Sequence, residues 1–228
     1  MTALRLPLVT PEAALDPFDL LEVRHFAIPG PGGRLEVILE GSTTAPPWAP
    51  VAVIGHPHPL QGGNLHNKVA HILARGSRDQ GSHSLRFNFR GTGNSEGCHD
   101  NGRGEQQDVL AVVNFVRQRF PAAPLWMAGF SFGSAMVLAT HRTAGASRLL
   151  LVAPPVDRGY FPREESPSLP WGILMGRQDE LVDPALVEQW ANQQSNPPIL
   201  CWSEDASHLF HGRLGWLRTT LAMVWPAV

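Results

Sequence analysis

The stretch Trp126-Met127-Ala128-Gly129-Phe130-Ser131-Phe132-Gly133-Ser134-Ala135-Met136 decides how the rest of the chain is read. It begins as a short apolar strand, passes through the five-residue turn Gly129-Phe130-Ser131-Phe132-Gly133, and continues as the first turns of an apolar helix. A serine at the centre of such a strand-to-helix turn is presented above the sheet with a helix N-terminus behind it. Gly129 and Gly133 suit the reversal because a side chain at either position would crowd the backbone as it turns back. Taken alone the pattern is weak, since glycine and serine are common in ordinary turns. Its weight depends on whether the chain supplies partners for Ser131.

Working outward, the strand-like and helix-like segments alternate. Glu22 to Ile28 and Leu35 to Glu40 read as a hairpin, with Leu35, Val37 and Leu39 on one face and Glu36 and Ile38 on the other. Val51-Ala52-Val53-Ile54-Gly55 is continuously apolar, as expected of a strand buried on both faces of a parallel sheet. Leu65, Val69, Ile72 and Leu73 predict a helix from about Asn64 to Ser77, and Leu85, Phe87 and Phe89 alternate as another strand. A helix is predicted from near Glu105 to Phe120, then the strand Leu125 to Ala128, then a helix from Ser131 to about Thr140. Arg148 to Val152, Trp171 to Met175 and Ile199 to Trp202 complete the strands. Asp183-Pro184 opens a helix to about Asn192, and Leu209, Leu214, Leu217, Leu221 and Val224 mark a final amphipathic one. Two early strands followed by regular strand–helix alternation imply an α/β fold: a mostly parallel sheet of about eight strands with helices on both faces. The pattern reads as one domain over residues 1–228, with residues 1–20, which contain three prolines, as an N-terminal arm.

Bulk properties narrow the functional classes. With 43% hydrophobic and 17% charged residues the chain reads as globular, not disordered. A formal net charge of -2 without runs of like charge gives no reason to expect nucleic acid or an anionic membrane as partner. The first ten residues lack the sustained apolar segment of a signal peptide, and runs such as Leu149–Ala153 are far too short to span a bilayer. Cys98 and Cys201 have no metal-ligand spacing, so a cytoplasmic location with two free thiols is expected. These features are compatible with a homo-oligomer as well as a monomer.

A serine hydroxyl becomes a useful nucleophile only when a base takes its proton and an acceptor orients that base. In an open α/β sheet such groups belong in loops at the carboxyl ends of strands. Asp179 lies just beyond the strand Ile173-Leu174-Met175, and His208 just beyond the strand ending at Trp202. The chain order is thus Ser131, Asp179, His208, an order one hydrolase architecture uses. Asp183 is more simply a helix N-cap, and Asp205 and His211 read as loop-shaping and helix-start residues. His56, His58 and His66 invite a metal site, but Pro57 and Pro59 restrict the backbone and no acidic or cysteine ligand lies beside them. They are read as loop-shaping and site-lining residues, with no metal and no cofactor expected. Arg90-Gly91-Thr92-Gly93 matches no nucleotide-binding pattern.

Five segments together carry a resemblance: HPHPLQGG (56–63), RGTGNSEG (90–97), GFSFG (129–133), GRQDELV (176–182) and SHLFHG (207–212). In this order, on these element ends, the chain resembles the small bacterial α/β-hydrolases related to dienelactone hydrolases and other carboxylic-ester hydrolases. The resemblance implies the α/β-hydrolase fold, with Ser131 as nucleophile, His208 as general base and then acid, and Asp179 as the orienting carboxylate. It also implies an oxyanion hole from the Phe132 backbone N–H and a donor after the Val51–Gly55 strand. The HPHPLQGG loop departs from the commoner His-Gly pattern; Pro57 and Pro59 have no N–H, which leaves Leu60, the favoured donor, and His58. The segment between Val152 and Trp171 is too short for a helical lid domain, so an open pocket and small, soluble ester or thioester substrates are expected. Peptide or carbon–carbon bond cleavage uses the same three groups, and a non-catalytic binding protein would have no need of all of them.

Overall fold

A computed structural model describes residues 6–10, 23–42, 45–46 and 48–226. The strands are β1 (Arg24–Gly30), β2 (Gly33–Glu40), β3 (Val51–Gly55), β4 (His83–Phe87), β5 (Leu125–Phe130), β6 (Arg148–Val152), β7 (Trp171–Gly176) and β8 (Ile199–Ser203). They form one eight-stranded sheet in the order β1-β2-β4-β3-β5-β6-β7-β8. β2 is antiparallel to both β1 and β4, and every other pairing is parallel. The helices are α1 (Lys68–Asp79), α2 (Arg103–Arg119), α3 (Phe132–Ala144), α4 (Pro184–Asn192) and α5 (Leu214–Val224).

Connection handedness explains the layers. From β3 the chain steps to β4 in one direction; from β4 it crosses back over β3 to β5 and then continues the other way to β6, β7 and β8. Right-handed crossovers in opposite directions leave their helices on opposite faces. Accordingly α1 packs with α5, and α2 packs with α3. The direction reverses between β3 and β5, and at such a switch point the loops leaving the two strands part and open a crevice at their carboxyl ends. HPHPLQGG leaves β3 and the Ser131 turn leaves β5, so the two face each other across that crevice.

All residues of β3, β4, β5 and β7 are buried, as strands covered on both faces require. The hairpin is also covered on both faces. Glu36 accepts hydrogen bonds from Asn88 Nδ2 at 2.6 Å, Asn94 N at 2.8 Å and Asn94 Nδ2 at 2.9 Å. Glu40 is paired with Arg78 and with Arg86, the latter at 2.8 Å. Burial works against ionising these two carboxyls, but their hydrogen bonds and arginine partners outweigh it and hold both below the usual range.

Several boundaries differ from expectation for local reasons. α1 starts at Lys68 because Asn67 caps it, its Oδ1 accepting from Val69 N at 2.9 Å. Leu65 is instead a buried loop residue whose N–H donates to Asn88 Oδ1 at 2.7 Å. Phe89 lies beyond β4 and is fully buried in the following loop. α5 starts at Leu214, because Phe210 and Gly212 take positive φ values of 52° and 71°. Of the expected arm, residues 6–10 are described, and Val9 N donates to Ala27 O at 2.8 Å beside β1; the remainder lies outside the described residues. Between β6 and β7, residues 153–170 form neither helix nor strand, and Phe161 turns down onto Trp190 with ring centroids 5.0 Å apart. No lid domain stands over the sheet among the described residues. Among the described residues no helix is long and apolar enough to cross a membrane.

Candidate active site

One residue, Ser131, separates the end of β5 from the start of α3. It has φ 52° and ψ -119°, a conformation that a non-glycine residue adopts only when its surroundings enforce it. Ser131 N donates to Val152 O at 2.8 Å, which ties the turn to the end of β6. Ser131 O accepts from Ser134 N at 2.9 Å and from Ser134 Oγ at 2.6 Å, closing the first turn of α3. Both flanking glycines are required by space. A Cβ on Gly129 would stand 2.2 Å from Gly133 O, and one on Gly133 would stand 2.4 Å from both C and O of Gly55.

Three side chains far apart in sequence form a continuous hydrogen-bonded line. Ser131 Oγ lies 3.1 Å from His208 Nε2, and His208 Nδ1 lies 2.8 Å from Asp179 Oδ2. An ionised carboxylate can only accept, so it fixes the proton on Nδ1 and leaves Nε2 to receive the serine proton. The Asp179 side chain is fully buried and its other oxygen, Oδ1, accepts from Leu181 N at 2.9 Å and Val182 N at 2.8 Å. His208 is 4% exposed and its ring packs on Phe130 with centroids 5.1 Å apart. The loops carrying these residues extend the β7–β8 pairing: Arg177 N donates to Ser203 O at 2.8 Å and Gln178 N to Ala206 O at 3.1 Å. Glu180, not singled out in the sequence, accepts from His208 N at 3.0 Å. Its one readable signal was its place directly after Asp179.

The rival residues are engaged elsewhere. Asp183 caps α4, accepting from Ala185 N at 2.9 Å; Asp205 pairs with Arg213; His211 is exposed in the turn before α5. Arg90, in the glycine-rich loop after β4, is bound to Asp108 at 2.7 Å.

On the β3 side, Phe132 is the first residue of α3, and the first N–H groups of a helix have no acceptor within it and stand at its positive end. Leu60 lies in a short 3-10 turn, Pro59–Gln61, where its N–H donates to His58 Nδ1 at 3.2 Å and its side chain is 73% exposed. That N–H, expected to face an oxyanion, therefore has an acceptor within its own turn. His58 sits closer in: its ring centroid is 5.0 Å from that of Phe132 and 5.1 Å from that of His99. Because His58 Nδ1 accepts an N–H, the neutral ring carries its proton on Nε2. Burial, with His99 and Arg158 nearby, holds His58 below the ordinary histidine range against the opposing pull of Glu105. Tyr160, from the 153–170 connection, closes on the same Phe132 ring at 5.1 Å.

His56 is fully buried and ties two loops together. Its Nδ1 lies 2.6 Å from Pro57 O and its Nε2 accepts from Phe89 N at 3.1 Å. Burial pushes its pKa down to about 3, so it stays neutral and both bonds persist at ordinary pH. His66 is exposed, and among the described residues no three His, Cys, Asp or Glu side chains converge as a metal site. Cys98 and Cys201 are free thiols.

The arrangement offers a hydroxyl with a proton acceptor in reach, a buried carboxylate behind that acceptor, and a helix N-terminus beside the hydroxyl. Such a set suits attack on a carbonyl carbon and stabilisation of the negative charge that develops on its oxygen.

Comparison with known proteins agrees with this fold. The family model Hydrolase_4, described as serine aminopeptidase S33, matches residues 59–162, a span that contains Ser131. An α/β serine hydrolase homologue from Coxiella burnetii is 39% identical with a TM-score of 0.84, over 88% of this chain and 96% of its own. XC6422 from Xanthomonas campestris, a serine hydrolase of this fold without a lid, is 36% identical with a TM-score of 0.84, over 91% of this chain and 97% of its own. The uncharacterized protein RP471 of Rickettsia prowazekii is 38% identical over 180 residues, which are 75% of this chain and 74% of that protein.

Proposed function

This chain belongs to the α/β-hydrolase superfamily, among its lid-less serine hydrolases, and on that premise we propose that it cleaves carboxylic ester or thioester bonds of small, soluble substrates through an acyl-enzyme. The observation that carries the reading is the line from Ser131 Oγ through His208 to Asp179, at 3.1 and 2.8 Å, on a turn whose backbone is held in a rare conformation. Ser131 Oγ attacks the carbonyl carbon while His208 Nε2 takes its proton. Asp179 holds the resulting imidazolium. The oxyanion is received by the N–H of Phe132 and the N–H of His58, the second chosen over Leu60 because the Leu60 N–H is spent on His58 Nδ1. His208 returns the proton to the leaving alkoxide or thiolate as the carbon–oxygen or carbon–sulfur bond breaks. Water, deprotonated by His208, then attacks the acyl-enzyme, and the proton passes to Ser131 as the acid leaves.

The substrate class follows from what surrounds Ser131. With residues 153–170 folded down and no lid among the described residues, the mouth is open. Three of the loops around it carry exposed leucines: Leu60 at 73%, Leu181 at 49% and Leu209 at 41%. In the sheet, β3 lies to one side of β5, and β7 and β8 lie to the other. An ester centred on Ser131 would therefore have an apolar rim available to both its acyl and its alcohol parts. Cys98 and Cys201 as free thiols fit a reducing, cytoplasmic setting. The family description as a serine aminopeptidase favours amide cleavage as the second reading.

The test is labelling with a fluorophosphonate, followed by hydrolysis of p-nitrophenyl esters, acyl-CoA thioesters and aminoacyl p-nitroanilides. Wild type should label and turn over the esters or thioesters, and Ser131→Ala should do neither. Equal labelling of Ser131→Ala would sink the nucleophile assignment, and turnover of the anilides alone would replace the ester reading by the amide one.

A further inference from the structure

We propose that Glu180 is a positioning residue for His208: its carboxylate holds the backbone of the base, while Asp179, its neighbour in sequence, holds the imidazole. The inference rests on the reading of His208 as the proton acceptor. His208 belongs to a loop, not to a strand or helix, and two residues later Phe210 is forced to φ 52°. Such a segment has no ladder of its own to keep it in place. The backbone bonds that extend the β7–β8 pairing end at Gln178 N to Ala206 O, two residues short of His208. Beyond that point the two loops are joined through side chains: Asp179 Oδ2 to His208 Nδ1 at 2.8 Å, and Glu180 Oε2 accepting from His208 N at 3.0 Å.

These two bonds do different things. The Asp179 contact sets the tautomer and constrains the ring but leaves the loop able to shift with it. The Glu180 contact pins the residue at its own backbone nitrogen, which no contact to the ring can do. With both in place His208 is held at its backbone and at its ring, and the 3.1 Å reach from Nε2 to Ser131 Oγ is preserved. Glu180 is itself exposed, so it is not a core-packing residue. The role is separable from that of Asp179, since Glu180 touches no reacting atom.

The experiment compares Glu180→Ala with Glu180→Gln in the full chain, measuring kcat and KM on p-nitrophenyl acetate, fluorophosphonate labelling rate and melting temperature. A loosened base costs less than the ~100-fold expected of a full 1 Å displacement. For Glu180→Ala the expected result is a fall in kcat on the order of 10-fold, with KM within about 2-fold and the labelling rate falling in parallel. Glu180→Gln keeps a side-chain carbonyl oxygen to accept the His208 N–H and should stay within about 3-fold of wild type. Wild-type kcat in Glu180→Ala overturns the proposal, as does equal damage in Glu180→Gln, a loss carried by KM, or a fall in melting temperature that accounts for the lost activity. His208→Ala separates this from the wider reading: if it labels like wild type, the assignment of the base fails, whereas an inactive His208→Ala beside a fully active Glu180→Ala refutes only the positioning role.

Discussion

Gly133→Ala adds a single methyl group at the one place where the nucleophile turn and the β3 loop lie back to back. The new Cβ would stand 2.4 Å from Gly55 C and O and 2.6 Å from His56 O. Ordinary contact begins near 3.4 Å, so the end of β3 and the start of α3 must part by about 1 Å. Neither side yields cheaply. Gly55 is paired with Gly129 in the sheet, and His56 is fully buried between Pro57 O and Phe89 N. Overpacking of this kind costs about 1–3 kcal/mol, or a melting temperature lower by roughly 2–12 °C at this chain length. Activity should suffer more than stability, because the displaced atoms lead directly into the loop proposed to supply the second oxyanion donor. A shift of about 1 Å there is worth on the order of 100-fold in kcat. Thermal unfolding followed by circular dichroism and the fluorophosphonate labelling rate measure the two effects. Gly215→Ala is the control: Gly215 lies in α5, a Cβ there meets nothing within 4 Å, and the change should stabilise by up to about 1 kcal/mol without altering labelling. If Gly133→Ala melts and labels like wild type, the close approach of the two loops is not what shapes the site.

Acid should destabilise the fold before carboxylates begin to titrate. His56 has its pKa pushed down to about 3 by burial, so between the ordinary histidine value of 6.5 and that point the unfolded chain takes up a proton that the folded one refuses. Stability is full above pH 6.5, falls as pH drops, and has lost about 2 kcal/mol from this residue alone at pH 5; His71 and His83, also held low by burial, add to the fall. Urea unfolding at pH 7, 6 and 5 measures it, and a flat profile would contradict the neutral, buried His56. At the mouth, replacing Leu60, Leu181 or Leu209 by serine should lower the ratio of kcat/KM for p-nitrophenyl butyrate over acetate by about 3- to 5-fold each, close to the burial of one methylene. A ratio unchanged in all three variants would mean that the rim does not touch the acyl chain.

Much of this fold was legible because its signals are local. A parallel strand buried on both faces favours a continuous apolar run, so Val51–Gly55 and Leu149–Val152 announce themselves, whereas β4 carries His83, Ser84 and Arg86 into the interior. The Ser131 turn was readable for the same reason: the space between Gly129 and Gly133 is set by the turn itself. The boundaries that moved are those decided by distant partners. Leu65 looked helical by spacing, but Asn88, 23 residues away, takes its N–H, and Asn67 offers a better cap. Glu36 reads in the sequence only as a residue on the face opposite Leu35, Val37 and Leu39; in the folded chain Asn88 and Asn94 arrive from another loop and allow its carboxylate to be buried.

The same division runs through the site. By itself the sequence determined which residue types stand at the ends of which strands: Ser131 after β5, Asp179 after β7 and His208 after β8. It did so because strand alternation and turn chemistry act over a few residues. Tertiary structure alone decided the reversal between β3 and β5 that opens the crevice, the reach of His208 to Ser131, and the reach of Glu180 to the backbone of His208. Those depend on the angle at which one loop meets another, and no local pattern encodes an angle between segments 28 to 77 residues apart.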